Sequence, residues 1–371
     1  MGYRVLGCVL LVLTVSCTSS EEQENKQIAF SATYKKVLEI SGQEGPEASW
    51  MLRPGNISLD KEGRIYITDE QRNFIQKFDS SGTFIQKIGA SGSGPGEFNN
   101  LFGVYADSVL IGFSRGTSRM LRFSLDGDFQ QSYPIQGVSS KPQMHRIGDQ
   151  FLLFHVNYGD APDEKYTLHI YNKSFELIDE QIHLSELYEN FNPDHTNLAL
   201  AFPNSVVFLD DSRLLMAPAI YSGKLFEYKL NPQSGEWEQA SVVEGKSIAK
   251  GYSVLNNSKD ADMVLFPKHS DDGLYFRIYG QSMYLSQLRD GRYVHFIRRD
   301  VDQIREYGIE LYDEDLNFLG YKELLTDPNP NDEEKIILRQ PQDMDSRNRF
   351  YSIDFGDDGA MVVAHELVIE N

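Results

Sequence analysis

Pro54-Gly-Asn-Ile-Ser-Leu-Asp60 runs into the turn Lys61-Glu-Gly63 and then Arg64-Ile-Tyr-Ile-Thr-Asp69. Phe74-Ile-Gln-Lys-Phe78 comes next, followed by the turn Asp79-Ser-Ser-Gly82 and by Thr83-Phe-Ile-Gln-Lys-Ile-Gly89. Gly92-Ser-Gly-Pro-Gly-Glu-Phe98 closes the unit. These are four short segments rich in β-branched and aromatic residues, parted by Gly, Asp and Ser where the chain must reverse. Four antiparallel strands make one blade, and blades repeated along a chain close into a radial all-β ring. The stretch therefore specifies a β-propeller. It does not specify a ligand, because that scaffold serves binding and catalysis alike.

Two landmarks recur and count the blades. The turn after the innermost strand is written as Asp60-Lys-Glu-Gly-Arg-Ile-Tyr66 and again as Asp345-Ser-Arg-Asn-Arg-Phe-Tyr351. Weaker copies are Gly148-Asp-Gln-Phe151, Asp210-Asp-Ser-Arg-Leu214 and Arg289-Asp-Gly-Arg-Tyr293. The hairpin between the third and fourth strands ends its first arm on Asp79, Asp126, Asn172, Asn231 and Asp313. The first two intervals match a four-stranded blade, and the later, longer ones imply insertions. Blades are thus expected at 54–89, 98–137, 145–184, 202–245 and 281–324, with a sixth from near 337. The sixth runs out after Met361-Val-Val-Ala-His-Glu-Leu-Val-Ile369, one strand short. Tyr34-Lys-Lys-Val-Leu-Glu-Ile40 is a strand without a blade, so it is expected to supply the missing outer strand and close the ring. Residues 185–201 and 246–280 read as insertions, and a seventh, irregular blade is the alternative for the second.

The N-terminus gives an address. Arg4 precedes an apolar run from Val5 to Val15, too short to span a bilayer and suited to a signal peptide. Leu13-Thr-Val-Ser-Cys17 resembles a bacterial lipobox, with Thr14 where Leu is commoner, and implies lipidation at Cys17. Cys8 lies within the signal, so the mature chain keeps one thiol and no internal disulfide is expected. The reading is a signal peptide over 1–16, an acidic tether over 17–30 and one propeller domain over 31–371. The chain carries 35 Lys and Arg against 55 Asp and Glu, a formal charge of −20. That field repels nucleic acid, and no basic cluster interrupts it.

Residues 54–104 resemble an NHL-type repeat, and the whole mature chain resembles the six-bladed, TolB-like propeller lipoproteins of the Bacteroidetes. The resemblance implies an outer-membrane lipoprotein on the periplasmic or cell-surface face, held to the membrane by its lipid alone and monomeric. It implies little about activity.

Ligands of propellers bind at the mouth of the axial channel, where the inner strands begin. By the blade count those positions are near Asn56, Asn100, His145, Asn204, Gln287 and Asp343. Oxygen-rich side chains around one axis can cage calcium, as in the gluconolactonase-type propellers, but only one of these six is a carboxylate. Channel polar groups that bond each other are the plainer reading, so no cofactor is expected and calcium is the alternative. His155, His169 and His183 fall on successive strands of blade three without metal spacing, and read as packed or surface residues. No Gly-x-Ser-x-Gly elbow follows a strand. Tyr275, Phe276, Tyr279 and Tyr284 could form an aromatic platform for sugars if the 246–280 insertion projects from a channel face; packing onto blade five is the alternative. The function expected is a binding or scaffold module for a glycan, a peptide or an envelope protein. The rival is a metal-assisted hydrolase or lyase at the channel mouth.

Overall fold

A computed structural model describes residues 29–41, 49–135, 138, 141–156, 165–189, 191–192, 195, 198–199, 202–248, 251–259, 261–265, 273–302, 304–327, 338–356 and 359–370. The signal segment, Cys17 and most of the tether lie outside the described residues.

Among them stand six four-stranded sheets of antiparallel neighbours, five of them simple meanders. Blade 1 starts with Pro54–Leu59, blade 2 with Leu101–Ala106 and blade 3 with Gln143–Ile147. Blade 4 starts with Ser205–Asp210, blade 5 with Gly280–Gln287 and blade 6 with Asp343–Met344. The fold is an all-β, six-bladed propeller.

The repeated turn explains itself chemically. Asp60 Oδ1 accepts the N–H groups of Glu62 and Arg64, each at 3.0 Å, while its Oδ2 takes Arg64 Nε at 2.6 Å and the Tyr66 hydroxyl at 3.0 Å. Asp345 does the same with Arg347, Arg349 and Tyr351. The position that turns left-handed is Gly63 in one copy (φ 75°) and Asn348 in the other (φ 62°), the two residue types that tolerate it best. One carboxylate thus folds the turn and holds the Arg and Tyr of the following strand. Asp79, Asn172 and Asp313 organise the outer hairpins by accepting backbone N–H groups two and four residues ahead.

Ring closure is direct. Ser31–Ile40 pairs antiparallel with Gly359–Glu370, from Ser31 opposite Glu370 to Ile40 opposite Val362, with a bulge between Lys36 and Leu38. Blade 6 therefore takes its outer strand from the start of the chain and its inner three from the end. Ile40 is buried with Met51, Ile57, Phe78 and Val362, so the closing strand also packs toward blade 1.

The insertion after blade 4 folds into a three-stranded sheet of Tyr252–Leu255, Leu274–Ile278 and Met263–Leu265. Phe276 and Ile278 join the core shared by blades 3 and 4. An ion network ties it to blade 5: Asp300 takes Arg277 at 2.9 Å and Arg305 at 3.1 Å, and Arg305 reaches Asp262 at 2.6 Å. None of this sheet lines the channel, so it is an appendage to the ring and not a seventh blade.

Candidate functional site

A cavity of about 920 Å³ occupies the axis and takes wall residues from all six blades. Its walls are the inner strands, and each is the edge strand of its own sheet. Such an edge carries backbone N–H groups that burial would leave unsatisfied unless a neighbour supplies acceptors. Here the neighbours' side chains do so. Asn56 Oδ1 of blade 1 accepts Val104 N at 2.8 Å, and Ser58 Oγ accepts Ala106 N at 3.0 Å, both of blade 2. Gln143 of blade 3 takes Val206 N of blade 4 at 3.0 Å. Gln342 takes Ile57 N at 3.0 Å, and Asp343 takes Leu59 N at 2.8 Å, from blade 6 to blade 1. The polar residues of the channel wall rivet the blades together.

Those bonds also set levels along the axis. Gly55, Asn56 and Lys141 lie toward the end where inner strands begin, the upstream mouth, because Lys141 Nζ donates to the Gly55 carbonyl. Lys61 and Asp107 follow the ends of their strands and pair at 2.9 Å at the downstream mouth. His145, Arg146 and Asp211 line the cavity there as well. The His145 ring stacks on Phe208 with centroids 3.7 Å apart. Burial lowers its pKa, against the pull of Asp211 and Asp107. Burial pushes the Asp107 carboxyl upward, but hydrogen bonds, led by that from Lys61, and the lysine's charge hold it below the ordinary value. Between the mouths, Tyr284 OH donates to Asp343 Oδ1 at 3.3 Å, and Tyr105 adds a second phenol to the wall. Burial raises both phenols, with Asp343 adding to Tyr284 and Asp107 to Tyr105. Asp343 itself is pushed up to about 6 by burial, against the N–H groups of Leu59 and Met344.

Of the residues singled out from the sequence, the cavity gathers Asn56, His145, Asn204, Asp343 and Tyr284. Asn100 is not among its wall residues; it sits with φ 58° in the turn before blade 2, where its carbonyl accepts Arg115 N. Gln287 is the last residue of its inner strand rather than the first, and bonds the Gly291 carbonyl and the Tyr293 hydroxyl. The four aromatics do not meet as a platform. Phe276 is buried in the core, Tyr275 pairs within the appended sheet, Tyr279 OH bonds Ser253 Oγ at 3.1 Å, and Tyr284 stands alone among them on the channel wall.

The oxygens considered for calcium are engaged. Asn56 and Asp343 bond backbone N–H groups as above, and Asn204 Oδ1 accepts Ala219 N at 2.9 Å. An ion there would compete for these oxygens with bonds that join the blades. Among the described residues no three His, Cys, Asp or Glu side chains stand together as a ligand set. His155 stacks on His169 with centroids 4.0 Å apart, and His169 meets Glu180 at 3.0 Å inside blade 3. Burial drives His155 well below the ordinary imidazole value.

Sequence reasoning missed Lys61, Asp107, Lys141, Arg146 and Asp211. A signal was present: Lys61 and Asp211 belong to the landmark turns, and those turns mark where an inner strand ends at the channel.

No curated protein sequence matches this chain. A member of the DUF4221 family from Bacteroides vulgatus shares the fold with a TM-score of 0.58 at 12% identity, over 93% of this chain and 100% of that one. A Bacteroides fragilis protein named as an exported protein gives 0.52 at 14% identity, over 92% and 96%. A gluconolactonase from Xanthomonas campestris gives 0.46 at 11% identity, over 90% and 89%, a likeness too slight to bear on activity. The model of a family described as a 6-bladed beta-propeller, DUF5128, matches residues 47–327, and the chain belongs to that family.

Proposed function

We propose that this chain is an exported binding module that holds a polar ligand, a glycan or peptide of the cell envelope, in the axial channel. The observation that carries this reading is the cavity itself. Its 920 Å³ lies within the range of ligand pockets, about 300–1,000 Å³, and it combines apolar wall with a few placed polar groups. The downstream mouth offers Lys61, Asp107, His145 and Arg146 to such a ligand, while the riveted interior keeps the wall rigid. A rigid wall lowers the ordering cost of binding. The apolar run before Cys17 and the exported neighbour support a place outside the cytoplasm, with Cys17 as the lipid anchor in the outer membrane.

The test is a thermal-shift panel of hexoses, hexosamines, uronic acids and di- to tetrapeptides on the parent and on His145→Trp, which plugs the downstream half. A ligand at a hundred times its Kd stabilises by about 2.7 kcal/mol, a measurable shift. Loss of the shift in the plugged variant supports the reading. A shift that survives the plug, or a panel without a hit, contradicts it. Calcium-dependent hydrolysis of a lactone or ester by the parent would favour catalysis instead.

A further inference from the structure

Many polar groups of the channel wall are spent on the wall itself. The edge N–H groups of Ile57, Leu59, Val104, Ala106 and Val206 all go to side chains of neighbouring blades. The wall amides are engaged as well: Asn56 Nδ2 donates to Gln342 at 3.2 Å and Asn204 Nδ2 to Thr167 Oγ1 at 3.0 Å. A peptide laid on a strand edge is held by such backbone groups. On blades 1, 2 and 4 those donors are already taken.

By contrast, the ring nitrogens of His145, the hydroxyl of Tyr105 and the carboxylate of Asp211 meet no hydrogen-bond partner among the described residues, and all three residues line the cavity. His145 is held by stacking: its ring lies on Phe208 at 3.7 Å between centroids and 10° between planes. Phe208 is outside the wall, so it backs one face of the imidazole and the cavity meets the other face and the ring edge. Burial lowers the pKa of this ring against the pull of Asp211 and Asp107, so the face shown at neutral pH is uncharged.

His145 and Tyr105 stand close along the axis. Arg146 Nη1 reaches Ser108 Oγ at 2.9 Å, which sets His145 level with Asp107 on blade 2. Tyr105 is two residues upstream of that level, about 7 Å of strand, a span that one sugar residue and its substituents cover. The Asp107 charge acts on both rings. A flat, uncharged π face packs against the C–H face of a pyranose, and hydroxyls that both donate and accept match an imidazole nitrogen and a phenol.

We propose that the ligand of the channel is a sugar, its pyranose ring stacked on the cavity side of His145 and one hydroxyl bonded to Tyr105. The assignment rests on the channel being the binding site, and it selects the glycan over the peptide. Saturation-transfer NMR with the methyl glycosides of glucose, galactose, mannose and N-acetylglucosamine tests it, with triglycine and trialanine as peptide probes. At least one glycoside should bind, with its ring C–H protons shifted upfield by the imidazole. His145→Ala should weaken that glycoside by about tenfold, while His145→Phe, which restores a ring face, should keep most of the affinity. Tyr105→Phe should lose about threefold to tenfold.

A glycoside bound equally by the parent and His145→Ala, a His145→Phe variant as weak as His145→Ala, or unshifted ring protons would overturn the stacking. Full affinity in Tyr105→Phe would overturn the hydroxyl bond. Peptides that bind the parent but not His145→Trp, with every glycoside inert, would overturn the sugar and leave the channel as the site. Silence from both classes would remove the channel reading along with it.

Discussion

Replacing Asp343 by Asn should remove a pH dependence of stability that the parent owes to this carboxyl. Asp343 is half-buried in the channel wall, and desolvation there pushes its pKa from 3.8 to about 6. In the unfolded chain it titrates near the ordinary value. Between about pH 4 and pH 6 the unfolded state therefore releases a proton that the folded state still holds, so the parent loses stability as pH rises. The loss is complete once the folded carboxyl has ionised, above roughly pH 7. A shift of about two units corresponds to about 3 kcal/mol. Asn does not titrate, and it gives up one acceptor, on Leu59 N or on the Met344 N and Tyr284 OH side. That lost bond is a cost independent of pH. Urea unfolding of both proteins at half-unit steps from pH 4 to pH 8 isolates the difference. The variant should be the less stable at pH 4 and should gain about 3 kcal/mol on the parent by pH 7, with m-values unchanged. A difference that stays flat across the range would mean that burial does not raise this carboxyl.

On the closing strand, Ile40→Ala should cost about 2–4 kcal/mol, since its side chain is buried, whereas Val37→Ala, 40% exposed, should cost under about 0.5 kcal/mol; equal losses in urea unfolding would mean that the strand is not docked in this register. Asp345→Ala removes the acceptor for two turn N–H groups and the partner of Arg349, and should cost about 2–3 kcal/mol by the same assay.

The ring was legible because one local chemistry is written repeatedly. An Asp that accepts two N–H groups ahead of it, a left-handed Gly or Asn, and an Arg-x-Tyr that returns to the same carboxylate need no distant partner, so Asp60 and Asp345 announce the same turn in any context. The closing strand was legible by arithmetic, since the last blade ran out one strand short. The site was less legible, because it depends on which end and which face of a strand meets the axis. The strand Gly280–Gln287 follows the appended sheet with no landmark turn before it, and Gln287 was placed seven residues from its true end of the channel. A bulge between Ser282 and Tyr284 then switches faces, which alternation cannot foresee. Phe276 and Tyr284 look alike in sequence, yet one fills the core and the other the wall. The buried contact of His295 with Glu310 joins neighbouring strands, and only the register that sets the two opposite brings it into view.

The function proposed for this chain places its ligand in the axial channel. Fluorine NMR of protein carrying 3-fluorotyrosine, with Tyr105 on the wall and Tyr321 on the outer strand of blade 5, tests it most directly. Titration with the tightest ligand from the panel should move the Tyr105 resonance in proportion to saturation and leave Tyr321 in place. Saturable binding with Tyr105 unmoved would put the ligand on another surface and contradict the claim.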